Sequence, residues 1–145
     1  MGIPPQALIT GNEILDYIPQ RAPIVMVDAF YGIVADQSHS SLTIAADNLF
    51  CSDGVMDECG VIEHIAQSAA LRVGYLYKSK GEAVPIGFIG TVNRFTITRH
   101  PLAGETLHTS IKVEQEVGQI TLISATVTIH DEAIAQCRMK IFLQP

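Results

Sequence analysis

The run Asp57-Glu58-Cys59-Gly60-Val61-Ile62-Glu63-His64-Ile65-Ala66-Gln67-Ser68-Ala69-Ala70-Leu71-Arg72-Val73-Gly74-Tyr75-Leu76-Tyr77-Lys78-Ser79-Lys80 is the one long helical pattern in the chain. Ile62, Ile65, Ala69, Val73 and Leu76 recur at helical spacing and make an apolar face. Asp57 and Glu58 stand at its start, Lys78 and Lys80 at its end and Gly81 just past it, where the helix dipole and end geometry favour each of them. Beside the apolar face runs a stripe of Glu63, Ala66, Gln67, Ala70 and Gly74, small apart from the Glu and the Gln, which lets another backbone come close. That stripe puts Glu63 on the packed side of the helix, near its N-terminal end.

The flanking segments read mostly as strand. Residues 7–17 predict a short helix that Pro19 ends, with Gly11 a weak point inside it, and Pro23 keeps Ala22 extended. Residues 24–34 are rich in Val, Ile and aromatics on both faces, the pattern of a strand covered on both sides. Residues 40–46 alternate Leu42, Ile44 and Ala46 with Ser41, Thr43 and Ala45, which predicts a second strand. After the helix come a strand over 84–98 and three alternating runs around 107–113, 123–129 and 135–143, with turns at Gly118 and at Asp131-Glu132. Consecutive strands with short turns make an antiparallel meander. The fold class is therefore α+β, an antiparallel sheet packed on one main helix.

Bulk composition narrows the function. The chain has 145 residues, 48% of them hydrophobic and 17% charged, with a mean hydropathy of +0.28. This suits a single domain over residues 1–145 that buries roughly 68–70% of its unfolded surface without disulfides or a structural metal. Such an apolar exterior also points to a surface covered by a partner. Nine Lys+Arg against fifteen Asp+Glu, with no basic run, excludes a nucleic-acid partner. The apolar stretch Ala83-Val84-Pro85-Ile86-Gly87-Phe88-Ile89-Gly90 is broken by Pro and Gly and is far short of the ~18 residues a membrane span needs. The start, Met1-Gly2-Ile3-Pro4-Pro5, has no cationic leader, and Gln6 stands where an acylation signal wants Ser or Thr. Cys51, Cys59 and Cys137 make an odd count without CxxC spacing, which fits a reducing cytoplasm.

Several residues could carry chemistry. A carboxylate on a packed helix face, such as Glu63, is costly unless it is paired or working; desolvated, it would serve as an acid or base near neutral pH. The alternative is a rim carboxylate that reaches solvent or pairs with an Arg. His64 lies about 100° further round the helix, so the two cannot act on one atom, and a surface or interface histidine is the plainer account. Cys59 sits in the first turn, where the dipole could lower a thiol pKa, but its spacing from His64 puts the two on different faces and favours a small buried or half-exposed Cys. Gly60, in the same turn, would let a ligand carbonyl approach free backbone N–H groups, or would serve close packing alone. The five histidines show no metal-ligand spacing, and no Ser elbow, phosphate loop or dinucleotide fingerprint is present, so neither metal nor cofactor is expected.

Two stretches together resemble the hot-dog-fold 3-hydroxyacyl-acyl-carrier-protein dehydratases. Ile18-Pro19-Gln20-Arg21-Ala22-Pro23-Ile24-Val25-Met26-Val27-Asp28 is similar to the family's L-P-H-R-x-P-x-L-L-V-D segment, and Gly60-Val61-Ile62-Glu63-His64-Ile65-Ala66-Gln67-Ser68-Ala69-Ala70 to its G-x-x-x-E-x-x-A-Q-x-A helix. Asn93-Arg94-Phe95, Pro101 and Gly104-Glu105 follow in the family's order. The resemblance implies a curved antiparallel sheet wrapped around the long helix. It also implies a homodimer, or a higher oligomer or heteromer with a homologue, with sites between subunits. The substrate it implies is an acyl thioester on acyl-carrier protein or coenzyme A, in fatty acid or polyketide-type lipid synthesis. Carried over, Glu63 on the partner's helix is the acid that protonates the leaving 3-hydroxyl, the carbonyl site lies near Gly60, and Gln67 is a supporting hydrogen-bond donor.

One departure stands out, because the family's basic His is Gln20 here, and an amide cannot accept a proton at neutral pH. The loop before the helix, Ser52-Asp53-Gly54-Val55-Met56-Asp57-Glu58-Cys59-Gly60, also lacks the family's prolines. Two other activities therefore stand beside dehydration: an acyl thioesterase using Glu63 and Gln20 on water, and a non-catalytic partner subunit of an active homologue. Arg72, Lys78 and Lys80 could meet an acidic carrier, although a solvated helix end accounts for them.

Overall fold

The computed structural model describes residues 4–144; Met1-Gly2-Ile3, read above as lacking a leader, and Pro145 lie outside the described residues. The long helix, α1 (Glu58–Ser79), starts and stops where its sequence signals stand. Asp57 caps it, its carboxylate accepting from the Gly60 N–H at 3.2 Å, and Lys80 closes the other end. Gly81 follows in the left-handed region, φ +71°, which glycine adopts at no steric cost.

Nine strands accompany the helix among the described residues. Seven form one antiparallel sheet: β1 (Ile9–Thr10), β2 (Ala29–Val34), β3 (Gln37–Thr43), β6 (Ile86–Ile97), β7 (Thr106–Val117), β8 (Ile120–Ile129) and β9 (Glu132–Gln144), in the spatial order β1-β2-β3-β7-β8-β9-β6. The small hairpin β4 (Cys51–Ser52) and β5 (Val55–Met56) leads into α1. The meander β7-β8-β9 turns at Gly118 and at His130-Asp131, all with positive φ. Both β3 and β6 lie against α1 although three strands separate them. At about 4.8 Å per strand, four steps carry a flat sheet about 19 Å, well beyond one helix. The sheet must curl around α1 for both to reach it.

The larger core lies between α1 and the concave face of the sheet, where Val61, Ile65 and Ala69 meet Leu107, Ile111, Val127, Ile134 and Met139. A second cluster covers the other side of the helix, where Leu71 packs with Ile9, Ile14, Ile18, Val27 and Phe30. Because both sides are covered, the buried face is wider than the expected stripe: Val61, His64, Ser68 and Leu71 are inside, whereas Ile62, Val73 and Leu76 are only half-buried. Among the described residues no helix is long and apolar enough to cross a membrane.

Three local expectations are corrected. Residues 7–17 are not an α-helix: Ile9-Thr10 pairs with Ala29-Phe30 as β1, and a 3-10 helix follows over Gly11–Asp16. The strand expected over 24–34 begins only at Ala29, because side chains and turns take up the preceding backbone groups. The next strand covers Gln37–Thr43 rather than 40–46, since Asn48 N–H bonds back to the Ala45 carbonyl and turns the chain.

The small-residue stripe does admit another backbone. A Cβ at Gly74 would overlap the Tyr17 carbonyl oxygen. Backbone cannot swing aside as a flexible side chain can, so Gly74→Ala is expected to lower stability by roughly 1–3 kcal/mol even though alanine is the better helix former. The urea midpoint measures it, and a rise would show that the Tyr17 segment yields freely.

Candidate functional site

Glu63 lies half-buried in the first half of α1 and lines a cavity of about 200 Å³. Ala66, Ala70 and Val73 continue the wall along the helix, while Ile89, Ile141 and Leu143 close it from the sheet. The space exists because the helix offers alanines there. Gln20 and Tyr17 complete the wall from the segment before β2, so the fold brings Gln20 and Glu63 of one chain to the same cavity.

Gln67 holds this arrangement. It is fully buried, four residues after Glu63 and hence on the same helix face. Its Nε2 donates to Glu63 Oε2 at 2.8 Å and to the Ile24 carbonyl at 2.7 Å, and its Oε1 accepts from the Met26 N–H at 2.6 Å. One amide thus orients the carboxylate and ties the Gln20-bearing segment to α1. With both donors and its acceptor engaged, Gln67 acts through Glu63 and is a positioning residue. Among the described residues the ion pairs are Arg99–Glu105 and His100–Glu58, so Glu63 has a neutral amide, not a cation, as its partner.

Gln20 is half-buried, and its Oε1 is shielded from solvent with no hydrogen-bond partner in the protein. An acceptor left without a donor is costly, and only a turn of the side chain toward the cavity would let a ligand or water there supply one.

The structure places the other candidates elsewhere. His64 is not a surface or interface histidine but fully buried. Its Nδ1 lies 2.7 Å from the Met26 carbonyl and its Nε2 2.7 Å from Thr109 Oγ1. A carbonyl can only accept, so Nδ1 carries the proton and Nε2 accepts from the Thr109 hydroxyl. Burial pushes the His64 pKa down to about 4. Cys59, expected half-exposed at most, is exposed, because its side of the first turn faces away from both cores. The Gly60 N–H donates to Asp57, and a Cβ there would strike Phe50 and Met56, so close packing by itself accounts for this glycine. No three His, Cys, Asp or Glu side chains converge in metal geometry among the described residues.

Sequence reasoning missed Tyr17, Val84 and Pro85 as lining residues. The Pro in the apolar run 83–90 was the available signal, since it marks where a strap precedes the strand.

A curled antiparallel sheet around one long helix, with a helix carboxylate in an apolar cavity, defines a hot-dog-fold protein. The dehydratase heterocomplex ApeI:P from Xenorhabdus doucetiae superposes with a TM-score of 0.84 at 17% identity, covering 91% of each chain. The uncharacterised protein PH1136 from Pyrococcus horikoshii does so with a TM-score of 0.67 at 12% identity, covering 94% of this chain and 95% of that one. The family model for ApeP-like proteins, described as ApeP dehydratase, matches residues 12–145. The chain belongs to the ApeP-like dehydratase family and is a dehydratase-like protein of the lyase class. It is also similar to the 3-hydroxyacyl-[acyl-carrier-protein] dehydratase FabZ of Rickettsia rickettsii, 26% identical over an alignment 144 residues long, gaps included, which covers 94% of this chain and 97% of that protein.

Proposed function

We propose that the chain dehydrates a 3-hydroxyacyl thioester carried on an acyl-carrier protein, in fatty acid or polyketide-type lipid synthesis, with Glu63 as the acid–base group. The observation that carries this reading is the Glu63 carboxylate, fixed by Gln67 and sharing an apolar cavity with Gln20. Glu63 takes the C2 proton, the C2–C3 double bond forms as the C3–O bond breaks, and the same proton leaves with the hydroxyl as water. Gln20, on the cavity wall, positions the 3-hydroxyl by its side-chain amide. Carboxylate and amide end as they began, so no further reactant is needed.

A second reading has its own support. Gln20 supplies no base, and β6 is a long sheet edge on which Ile86 and Phe88 are 52% and 55% exposed. Such an edge is an association surface, and a second chain seated there, a copy or a base-bearing homologue, would complete the assembly. The ApeI:P dehydratase is itself a heterocomplex.

The products from a 3-hydroxyacyl thioester, read by mass, separate these. Water lost with the chain alone supports the first reading, and water lost only after a homologue is added supports the second. Free acid means thioester hydrolysis. Gln20→His is expected to raise dehydration by about 10²–10⁴-fold if the missing base is the defect.

A further inference from the structure

The Glu63 cavity is one of three that meet at a single piece of backbone. Val84 and Pro85 line the inner cavity of about 200 Å³, an open cleft of about 570 Å³ and a third space of about 230 Å³. The larger cleft lies beyond them, walled by Tyr77, Gly118 and Gln144, and shares Leu143 with the inner cavity. Val84-Pro85 is thus a partition, with the carboxylate on one side and an apolar, solvent-open cleft on the other.

The partition is a strap rather than part of the sheet. Residues 82–85 have no regular structure between the end of α1 and the start of β6. The strap is held at its ends, by the Glu82 N–H on the Tyr77 carbonyl and by the pairing of Ile86 with Gln144. Pro85 has no N–H to give a sheet.

The cavity's length is set along the helix. From Glu63 to Val73 the axis rises roughly 15 Å, ten residues at about 1.5 Å each. Beyond the alanines, Val73 is the first branched side chain on the helix side of the wall, and Val84 stands on the strap. An inner volume of about 200 Å³ is below the roughly 300–1,000 Å³ usual for drug-sized ligands, so its occupant is short.

We propose that Val84 sets the acyl-chain length. The strap stops a short apolar chain that runs from Glu63 along the Ala66–Ala70 groove, and removing the Val84 side chain joins the groove to the outer cleft so that longer chains enter. This rests on the acyl-thioester reading above and adds to it a chain-length class and the residue that enforces it.

The test uses S-alkyl thioethers of coenzyme A, from butyl through octyl to dodecyl, titrated calorimetrically into the purified protein. Binding needs no turnover, so it reports equally on an active enzyme and on a partner subunit. In the native chain, affinity should rise from butyl and then fall by at least about tenfold for dodecyl, the loss expected when roughly two methylenes lose a buried seat. Val84→Ala should recover the dodecyl affinity, and Val84→Phe should move the fall to shorter chains. Equal length profiles in all three proteins would overturn the role of Val84 while leaving the acyl-thioester reading intact. Absence of binding at every length would overturn both.

Discussion

Glu63→Gln is expected to cut the dehydration rate by about 10²–10⁴-fold while leaving the protein folded. The replacement has nearly the shape of the glutamate, and its amide oxygen can still accept from Gln67 Nε2, which stands 2.8 Å from the native carboxylate. The tie between α1 and the Ile24–Met26 segment runs through other atoms of Gln67 and survives. Only the capacity to take and return a proton is lost, so kcat should fall with little change in KM. Glu63→Asp separates chemistry from placement, since it keeps the acid but withdraws it by one methylene. A misplacement on the order of 1 Å can cost about 10²-fold, which puts Asp between Glu and Gln. The assay is turnover of a 3-hydroxyacyl thioester by mass, with thermal unfolding in parallel, on the chain or its complex, whichever turns substrate over. A Gln variant with native turnover and a native melting curve would remove Glu63 from the mechanism.

The parts of this site that were legible in the sequence are those written locally. Helix α1 could be bounded because Asp57, Lys80 and Gly81 act on backbone within one turn of themselves. The Glu63–Gln67 pair follows from i,i+4 spacing alone. The β7-β8-β9 meander was readable because one covered and one open face impose a period of two. What failed was set by distant partners. Ile9-Thr10 becomes a strand because Ala29-Phe30 is there to pair with it, and no helix periodicity can announce that. The strand over 84–98 could be read, but its place as the exposed edge β6 could not, because that depends on what else packs beside it. The family resemblance pairs the Gln20 position with a carboxylate on a partner subunit's helix, whereas here Gln20 and Glu63 of one chain line the same cavity, and composition and spacing carry no trace of it. Cys59 and Gly60 are neighbours in one helical turn, yet one faces solvent and the other Phe50 and Met56, a difference fixed by the β4–β5 hairpin.

His64 is the clearest case of a distant setting, and it predicts an acid-labile fold. Its two ring nitrogens are claimed by Met26, 38 residues away, and Thr109, 45 residues away, in a site fully closed to water. The neutral ring fits both partners, whereas a protonated ring would turn Nε2 into a second donor and bury a charge. The folded pKa of about 4 thus lies below the ordinary value of 6.5. Between those values the unfolded chain binds a proton that the folded chain refuses, so stability is full above pH 6.5 and declines as the pH falls toward 4. The shift corresponds to about 3 kcal/mol lost across that window, a large share of the 5–15 kcal/mol typical of a domain. His39 and His108, also lowered by burial, act in the same sense. Asp28, whose buried carboxyl is raised, acts in the opposite one. Comparison with His64→Phe isolates the one residue. The phenyl ring strands the Met26 carbonyl and the Thr109 hydroxyl, so the variant starts less stable, but its urea-unfolding free energy should fall by about 3 kcal/mol less than the native protein's over the same pH range. Parallel slopes would mean that His64 takes up its proton in the folded state. The network would then have to accommodate an imidazolium between a carbonyl and a hydroxyl that turns its oxygen lone pair toward Nε2.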